Sequence, residues 1–273
     1  MNRAAAATAP LSRRKASGTV GALEQGRTQE KLALAIPTFR EAGNIANTLG
    51  QVRSALDAAG ACYEIIVIDD DSRDGTAEIV TAISRDDPRV RLLVREGERG
   101  LSGAILHGWR STDATLLGAM DADLQHPPAL LPVLLAAMLD GRDLVIASRY
   151  AQGGKLGEWN PLRRFFSAAA VAVTWPLQRG PLRARDPMSG FFMVRRRSVN
   201  HLTFQKTGFK LLLEILVRGR LQSIEEIPFA FGQRGAGQSK ASWKVALDYA
   251  VLLVRLYRMR YNLGGQLRSA TAD

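Results

Sequence analysis

Leu116-Leu117-Gly118-Ala119-Met120-Asp121-Ala122-Asp123-Leu124-Gln125-His126-Pro127-Pro128 joins an apolar run of strand length to two carboxylates at i, i+2, a carboxamide two residues on, and a Pro-Pro stop. If the chain stays extended beyond the strand, Asp121, Asp123 and Gln125 project to one side, because side chains alternate with period 2. Three oxygen donors so placed suit a hard divalent cation, Mg²⁺ or Mn²⁺, that also takes diphosphate oxygens. The plainer alternative is a solvated turn, with an aspartate capping the helix that begins near Pro127-Pro128. Asp-x-Asp alone is too short to choose between the two, and the rest of the chain decides.

Apolar runs over Lys31–Ile36, Tyr63–Ile68, Val90–Val94, Ala114–Met120 and Asp143–Ala147 read as buried strands, with Pro37 expected to end the first. Between them lie helical patterns. Ile45, Leu49, Val52 and Leu56 recur at three and four across Gly43–Gly60. Ile79, Val80 and Ile83 sit on a helix that Ser72 is placed to cap, and further helices are expected from Gly100 to about Arg110 and over Pro127–Leu139. Strand alternating with helix at this rhythm predicts an α/β fold, a mostly parallel sheet flanked by helices. Ligands of such sheets bind at the carboxyl ends of the strands. Polar clusters fall there three times: Thr38/Glu41, Asp69–Asp71, and Asp121/Asp123/Gln125. The first loop is Pro-Thr-Phe-Arg-Glu rather than G-x-G-x-x-G, and no Walker A sequence occurs, which removes the main support for dinucleotide-binding and kinase readings. Gly97, Gly100 and Gly103 read as turn and helix-entry residues.

The second half changes character. Ser148-Arg149-Tyr150 leaves the fifth strand toward Gly153-Gly154, and a helix is expected from Asn160 through Phe165–Leu177, apolar nearly all round. Such a helix is deep core or lies at a lipid interface; Trp175 and the nearby Arg163, Arg164, Arg179, Arg183 and Arg185 favour the interface. Asp186–Gly190 is a turn before the apolar Phe191–Val194, and Thr207–Arg218 is a helix carrying one carboxylate, Glu214. Glu214 is either an exposed or ion-paired position or part of the site. After a strand over Ile224–Phe231, the glycine-rich loop 232–240 carries Arg234 and Lys240 and can close over an anion. The last helix, Trp243 to about Asn262, has an apolar stripe and the cations Arg255, Arg258 and Arg260, which suits packing or docking on a membrane surface.

The net charge of +11 is segregated. Residues 31–148 carry 11 Lys and Arg against 17 Asp and Glu, and residues 149–273 carry 21 against 7. That division suggests an acidic half that handles a cation and a basic half that handles anions. A nucleic-acid-binding protein is disfavoured, because it leaves the acidic strand-end clusters without a purpose. Residues 1–30 lack apolar periodicity and are expected to be disordered; Arg13-Arg14-Lys15 has no apolar stretch after it and is not read as an export signal. The longest nearly apolar stretches, Ala129–Leu139 and Phe165–Leu177, fall short of the roughly 18–20 residues that span a bilayer. The chain is therefore expected to be soluble or peripheral, and its single cysteine, Cys62, fits a reducing compartment, so that the expected place is cytoplasmic, peripheral on the cytoplasmic face of the membrane.

Ile36-Pro-Thr-Phe-Arg-Glu41, Ile68-Asp-Asp-Asp-Ser-Arg-Asp-Gly-Thr76, Met120-Asp-Ala-Asp-Leu-Gln-His-Pro-Pro128, Ser148-Arg149, Asp186-Pro-Met-Ser-Gly-Phe-Phe192 and Gly237-Gln-Ser-Lys240 occur in that order. Together they resemble the polyprenol-phosphate (dolichol-phosphate) mannosyltransferases, within the family 2 inverting glycosyltransferases of GT-A fold. The resemblance spans residues 31–262, leaving tails of 1–30 and 263–273. It implies a nucleotide-sugar and metal half over 31–148, and an acceptor and membrane-facing half with C-terminal amphipathic helices over 149–262. It implies that Pro37, Phe39, Glu41, Ile68 and Asp70 hold the nucleoside, with Phe39 standing where relatives often carry tyrosine. Asp121, Ala122 and Asp123 would meet the donor diphosphate, and Asp121, Asp123 and Gln125 would ligate Mg²⁺ or Mn²⁺. Arg149, Arg163 and Ser167 would form the acceptor-phosphate site, and Arg234 and Lys240 would close on the donor phosphates. The implied partners are GDP-mannose, a polyprenyl or dolichyl phosphate and an anionic membrane surface, with no nucleic acid.

The chemistry agrees from its own side. The leaving nucleoside diphosphate needs charge stabilisation, which a metal and cations supply. A phosphate monoester has its second pKa near ~6 and is mostly dianionic at neutral pH, so it needs no general base. His126 is accordingly read as orienting its loop, and Asp186 and Glu214 as organising the site. Other readings are a family 2 transferase that uses UDP-glucose or UDP-N-acetylglucosamine, one that extends a saccharide with a carboxylate base, and an inactive sugar-nucleotide-binding relative.

Overall fold

The computed structural model describes residues 30–151, 168–178, 180–204, 210–230, 247 and 249–260. Seven strands form one sheet: β1 (Leu32–Thr38), β2 (Tyr63–Asp69), β3 (Val90–Val94), β4 (Leu116–Ala119), β5 (Leu144–Ser148), β6 (Phe192–Arg195) and β7 (Ile224–Pro228). Their order is β3-β2-β1-β4-β6-β5-β7, and only β6 runs antiparallel to its neighbours. Every residue of β2, and all of β1 but Pro37, is buried. Strands covered on both faces read as continuous apolar runs, which is why these two stood out in the sequence.

Helices α1 (Ile45–Ala58), α2 (Thr76–Asp86), α3 (Leu101–Arg110), α4 (Leu131–Leu139) and α5 (Leu211–Arg218) cover the sheet. On one face Leu34 and Ile36 pack with Leu49 and Val52 of α1 and Leu134 and Met138 of α4. On the other, Ala35 and Ile68 pack with Ile105 and Trp109 of α3 and Leu212 and Ile215 of α5. Helix α3 approaches the sheet closely enough that a Cβ on Gly108 would lie 2.7 Å from Ile68 Cδ1. Only glycine permits that approach without displacing a fully buried side chain.

Several expectations change. Pro37 does not end β1; it pairs in register with Ile68. The β4 ladder stops at Ala35, so the missing proline N–H falls where β1 has a partner on one side only. Ser72 does not cap α2, which begins at Thr76 after Gly75 at φ 98°. The segment Phe191–Val194 proves to be the antiparallel strand that separates β4 from β5. The helix expected through Phe165–Leu177 is helical over 168–172, then turns into the 3-10 segment Trp175–Leu177. Pro176 lacks the N–H that a continuing helix would use and clashes with the preceding turn.

Among the described residues no helix is long and apolar enough to cross a membrane. Residues 249–260 are helical and pack back on the preceding segment: Tyr249 Oη donates to Ala170 O at 2.6 Å and Tyr257 Oη to Val173 O at 2.7 Å. Arg163, Ser167, Arg234 and Lys240, together with residues 1–29 of the expected tail 1–30 and the expected tail 263–273, lie outside the described residues.

Candidate active site

Strand order reverses between β1 and β4, so the loops after β1, β2 and β4 meet at one end of the sheet. Asp69, fully buried at the end of β2, ties two of them together. Its Oδ1 accepts from Thr38 Oγ1 at 2.8 Å and from Ser72 Oγ at 2.5 Å, and its Oδ2 accepts the Ser72 N–H at 2.8 Å. The β1 loop then hangs on the β2 loop: the N–H groups of Arg40, Glu41 and Ala42 donate to Ser72 Oγ, Thr76 Oγ1 and Asp74 Oδ2. Ser72, expected as a cap, is a strut between loops.

The three aspartates after β2 therefore have three different jobs. Asp69 is structural. Asp70, also buried, takes the Arg95 guanidinium on Oδ1 at 2.8 and 2.5 Å and the Gly100 N–H on Oδ2 at 2.9 Å. Asp71 is half-buried and held by Arg73, whose guanidinium keeps its carboxyl below the usual range. Beside them two cations lie over the Phe39 ring, Arg99 at 4.4 Å and Arg40 at 5.3 Å from its centroid. Phe39, Arg40, Asp71, Ser72, Arg73, Asp74 and Arg99 line a cleft of about 560 Å³, within the range of small-molecule sites. Ile68 has a fully buried side chain, so it can offer this cleft only its backbone. Glu41 accepts from Asn44 Nδ2 at 2.8 Å, which fixes the start of α1.

Beyond β4 the chain does not stay extended. Residues 121–126 form a tight turn in which Leu124 has φ 61°, and Gln125 N–H folds back to Asp123 Oδ1 at 3.1 Å. Asp121, Asp123 and Gln125 are thus carried on a turn, and strand alternation does not set their directions. Thr48 of α1 holds its middle, donating to Ala122 O at 2.7 Å. His126 holds its end: Nδ1 accepts the Asp121 N–H at 3.2 Å, and the ring packs on Phe191 and Phe229. Burial pushes the imidazole below its usual range, against the pull of Asp121 and Asp123, so the ring is neutral and orients the turn. The donor set fits a hard cation: two carboxylates and an amide oxygen within five residues, Asp121 being 37% exposed through its side chain. Gly190 passes so close that a Cβ there would come 3.2 Å from Asp121 Oδ2.

Arg149 leaves β5 at the same end of the sheet. Its Nε and Nη2 form a two-pronged pair with Asp186 at 2.8 Å each, and its backbone N–H reaches the same carboxylate at 3.0 Å. Burial works against the guanidinium charge, and Asp186 overrides it. Because β6 is antiparallel, the residues leading into it arrive where the parallel strands end, which is how residue 186 meets residue 149. Glu226 anchors the turn by accepting the Arg185 and Asp186 N–H groups. Glu214 is buried and ion-paired with Arg218 one turn along α5, as one of the sequence alternatives had it. Sequence reasoning missed Thr48, Arg95 and Lys210. The first two act through contacts 74 and 25 residues away, and Lys210 lines a cavity with Asp121, His126 and Arg149.

Residues 33–203 match the family model described as Glycosyl transferase family 2. The chain is 37% identical over 228 residues to a dolichol-phosphate mannosyltransferase from Pyrococcus furiosus, covering 84% of this chain and 64% of that protein. It is 39% identical over 237 residues to the dolichol-phosphate mannosyltransferase of Mycosarcoma maydis, covering 83% and 79%. Among solved structures, glucosyl-3-phosphoglycerate synthase from Mycobacterium tuberculosis, in complex with Mn²⁺, UDP-glucose and phosphoglyceric acid, superposes with a TM-score of 0.60 at 20% identity, over 90% of this chain and 85% of that one. That likeness bears on the fold, a GT-A type α/β sheet. The chain belongs to glycosyl transferase family 2.

Proposed function

We propose that this family 2 glycosyltransferase moves mannose from GDP-mannose onto a polyprenyl phosphate such as dolichyl phosphate, giving a β-linked lipid-phosphate sugar. The observation that carries the reading is the Arg149–Asp186 clamp beside the Asp121 turn. A guanidinium fixed next to a set of metal-suited oxygens can hold one phosphate against another. The relatives named for transfer of mannose to dolichol phosphate support it.

In this reading the nucleoside lies in the cleft of Phe39, with Pro37, Glu41, Ile68 and Asp70 around it. Asp70 presents a carboxylate already oriented by Arg95 and Gly100. Asp121, Asp123 and Gln125 would hold Mg²⁺ or Mn²⁺, which when bound offsets charge on the leaving diphosphate. Arg234 and Lys240 close on the donor phosphates, and Arg149, Arg163 and Ser167 hold the acceptor phosphate. An acceptor phosphate oxygen attacks the anomeric carbon, the bond to the diphosphate breaks, and GDP leaves with the electron pair. A dianionic nucleophile has no proton to lose, so no base is required. Attack opposite the leaving group turns an α-linked donor into a β-linked product.

Docking on an anionic bilayer completes the reading. Val173 and Trp175 are 46% and 53% exposed, and Val251 and Val254 of the helical residues 249–260 are 60% and 51% exposed. Arg255 and Arg258 line a groove with those two valines. Apolar residues beside cations suit headgroup depth, and the excess of Lys and Arg in residues 149–273 selects the anionic leaflet. The test is a panel of labelled donors, GDP-mannose, UDP-glucose and UDP-N-acetylglucosamine, against a short polyprenyl phosphate in detergent. Transfer from GDP-mannose that stops in EDTA is expected. Transfer only from a uridine donor would overturn the donor assignment.

A further inference from the structure

Lys210 is the cap residue of α5, and its ammonium makes no ion pair or hydrogen bond with any described residue. It lines a cavity of about 160 Å³ with Asp121, His126, Arg149 and Ser189. At ~30 Å³ per water, that is room for roughly five waters. The space suits a phosphate-sized group and is too small for a nucleotide.

Three further features of this cavity favour an anion. Leu101 and Ser102, the first two residues of α3, line it, and so do Leu211 and Leu212, the first two of α5. Two helix N-termini therefore bring unsatisfied N–H groups and the positive ends of their dipoles to the same space. Ser102 is 3% exposed, and its Oγ has no hydrogen-bond partner. A buried hydroxyl left unsatisfied costs free energy unless a ligand supplies the partner. The charges point the same way. Arg149 is matched by Asp186, and Asp121 belongs to the proposed metal set, so among the described residues lining the cavity Lys210 is the cation left over. Burial and then the Arg149 charge pull the Lys210 pKa down, while Asp121 and Asp186 oppose them.

We propose that Lys210 and Ser102, with the N-termini of α3 and α5, complete the subsite for the acceptor's phosphate group beside Arg149. Lys210 would then act as a point charge on one phosphate oxygen while Arg149 holds the others in its plane. The arrangement explains why a cation with no ion pair among the described residues is kept in a tight space, where a methionine of similar length would pack at lower cost. This assignment rests on the acceptor being a phosphate monoester, as proposed above.

The test uses the full chain with Lys210→Met, Lys210→Arg and Ser102→Ala. Binding of farnesyl phosphate is followed by calorimetry in the presence of GDP and Mn²⁺, and transfer kinetics are measured alongside. Lys210→Met is expected to weaken farnesyl phosphate binding and raise acceptor KM roughly ten- to hundred-fold, with donor Kd changed less than about twofold. Lys210→Arg should recover part of the loss, and Ser102→Ala should cost several-fold. Lys210→Met should also unfold at or above the wild-type temperature, because the charge it removes has no ion-pair partner among the described residues. Unchanged farnesyl phosphate binding in Lys210→Met would overturn this subsite and leave the proposed function standing. Failure of Lys210→Met to fold, or loss of donor rather than acceptor affinity, would overturn it too. Wild-type protein that binds farnesyl phosphate through Lys210 but transfers no sugar to it would overturn the proposed function and keep the subsite.

Discussion

Thr48 Oγ1 donates to the carbonyl of Ala122 at 2.7 Å, so a side chain in the first turn of α1 holds the middle residue of Asp121-Ala122-Asp123 across 74 positions of sequence. Thr48→Val keeps the shape and removes the donor, leaving a buried carbonyl unsatisfied. We expect a loss of about 1–2 kcal/mol in stability. The turn it steadies should also lose precision, so kcat should fall at least several-fold with Mn²⁺ in excess. Denaturant melts and steady-state kinetics on the same preparation check this; full activity at wild-type stability would show that the turn holds its own shape.

The Arg149–Asp186 pair makes a different prediction from a surface ion pair. Asp186 is fully buried and Arg149 nearly so. Arg149→Ala should therefore cost roughly 3–5 kcal/mol, chiefly by stranding a buried carboxylate. The double variant Arg149→Met, Asp186→Leu should regain most of that stability and none of the transfer activity. Thermal unfolding separates the two effects, and activity in the double variant would remove Arg149 from the acceptor site.

Acid stability has a local contribution from Asp87. Its carboxylate is buried and gripped by Arg89 at 2.9 and 2.8 Å, which brings its pKa down to about 2 against the opposing effect of burial. An unfolded aspartate titrates near ~3.9. A lowered folded pKa means the contribution is complete above the unfolded value and fades as pH falls toward 2. Asp87→Asn should therefore destabilise by about 1–2 kcal/mol at pH 6, and the gap to wild type should narrow below pH 4. Urea melts at both pH values measure it.

Membrane docking predicts that co-sedimentation with liposomes rises with anionic lipid and falls with salt, since the attraction acts within a Debye length of ~8 Å at physiological ionic strength. Trp175→Ala and Val251→Asp should each reduce the bound fraction without changing the unfolding temperature, because both side chains are more than half exposed. Equal recovery in the supernatant with neutral and anionic vesicles at low salt would contradict the docking face.

The parallel half of the sheet was legible because β1, β2 and β4 are covered on both faces and read as unbroken apolar runs. β6 was not. Four residues, Phe192–Arg195, carry no direction, and their insertion between β4 and β5 depends on partners 46 to 79 residues away. The segment after β4 was read as extended, but the strand ends at Ala119 and a left-handed Leu124 turns the chain beyond it. The consecutive Asp69, Asp70 and Asp71 looked like one cluster, and only packing shows that the first two face structural partners. Lys210 gave no signal, because one lysine ahead of an apolar helix reads as a solvated first turn.

The account stands most directly on the chemical identity of the product. Purified protein incubated with GDP-mannose labelled in the sugar, Mn²⁺ and a short polyprenyl phosphate should yield label in the organic phase. Nuclear magnetic resonance of that product should show a β-mannosyl phosphate, with none formed by Asp121→Asn or in EDTA. Label that stays in water-soluble saccharide, or a mannosyl phosphate of α configuration, would contradict the account.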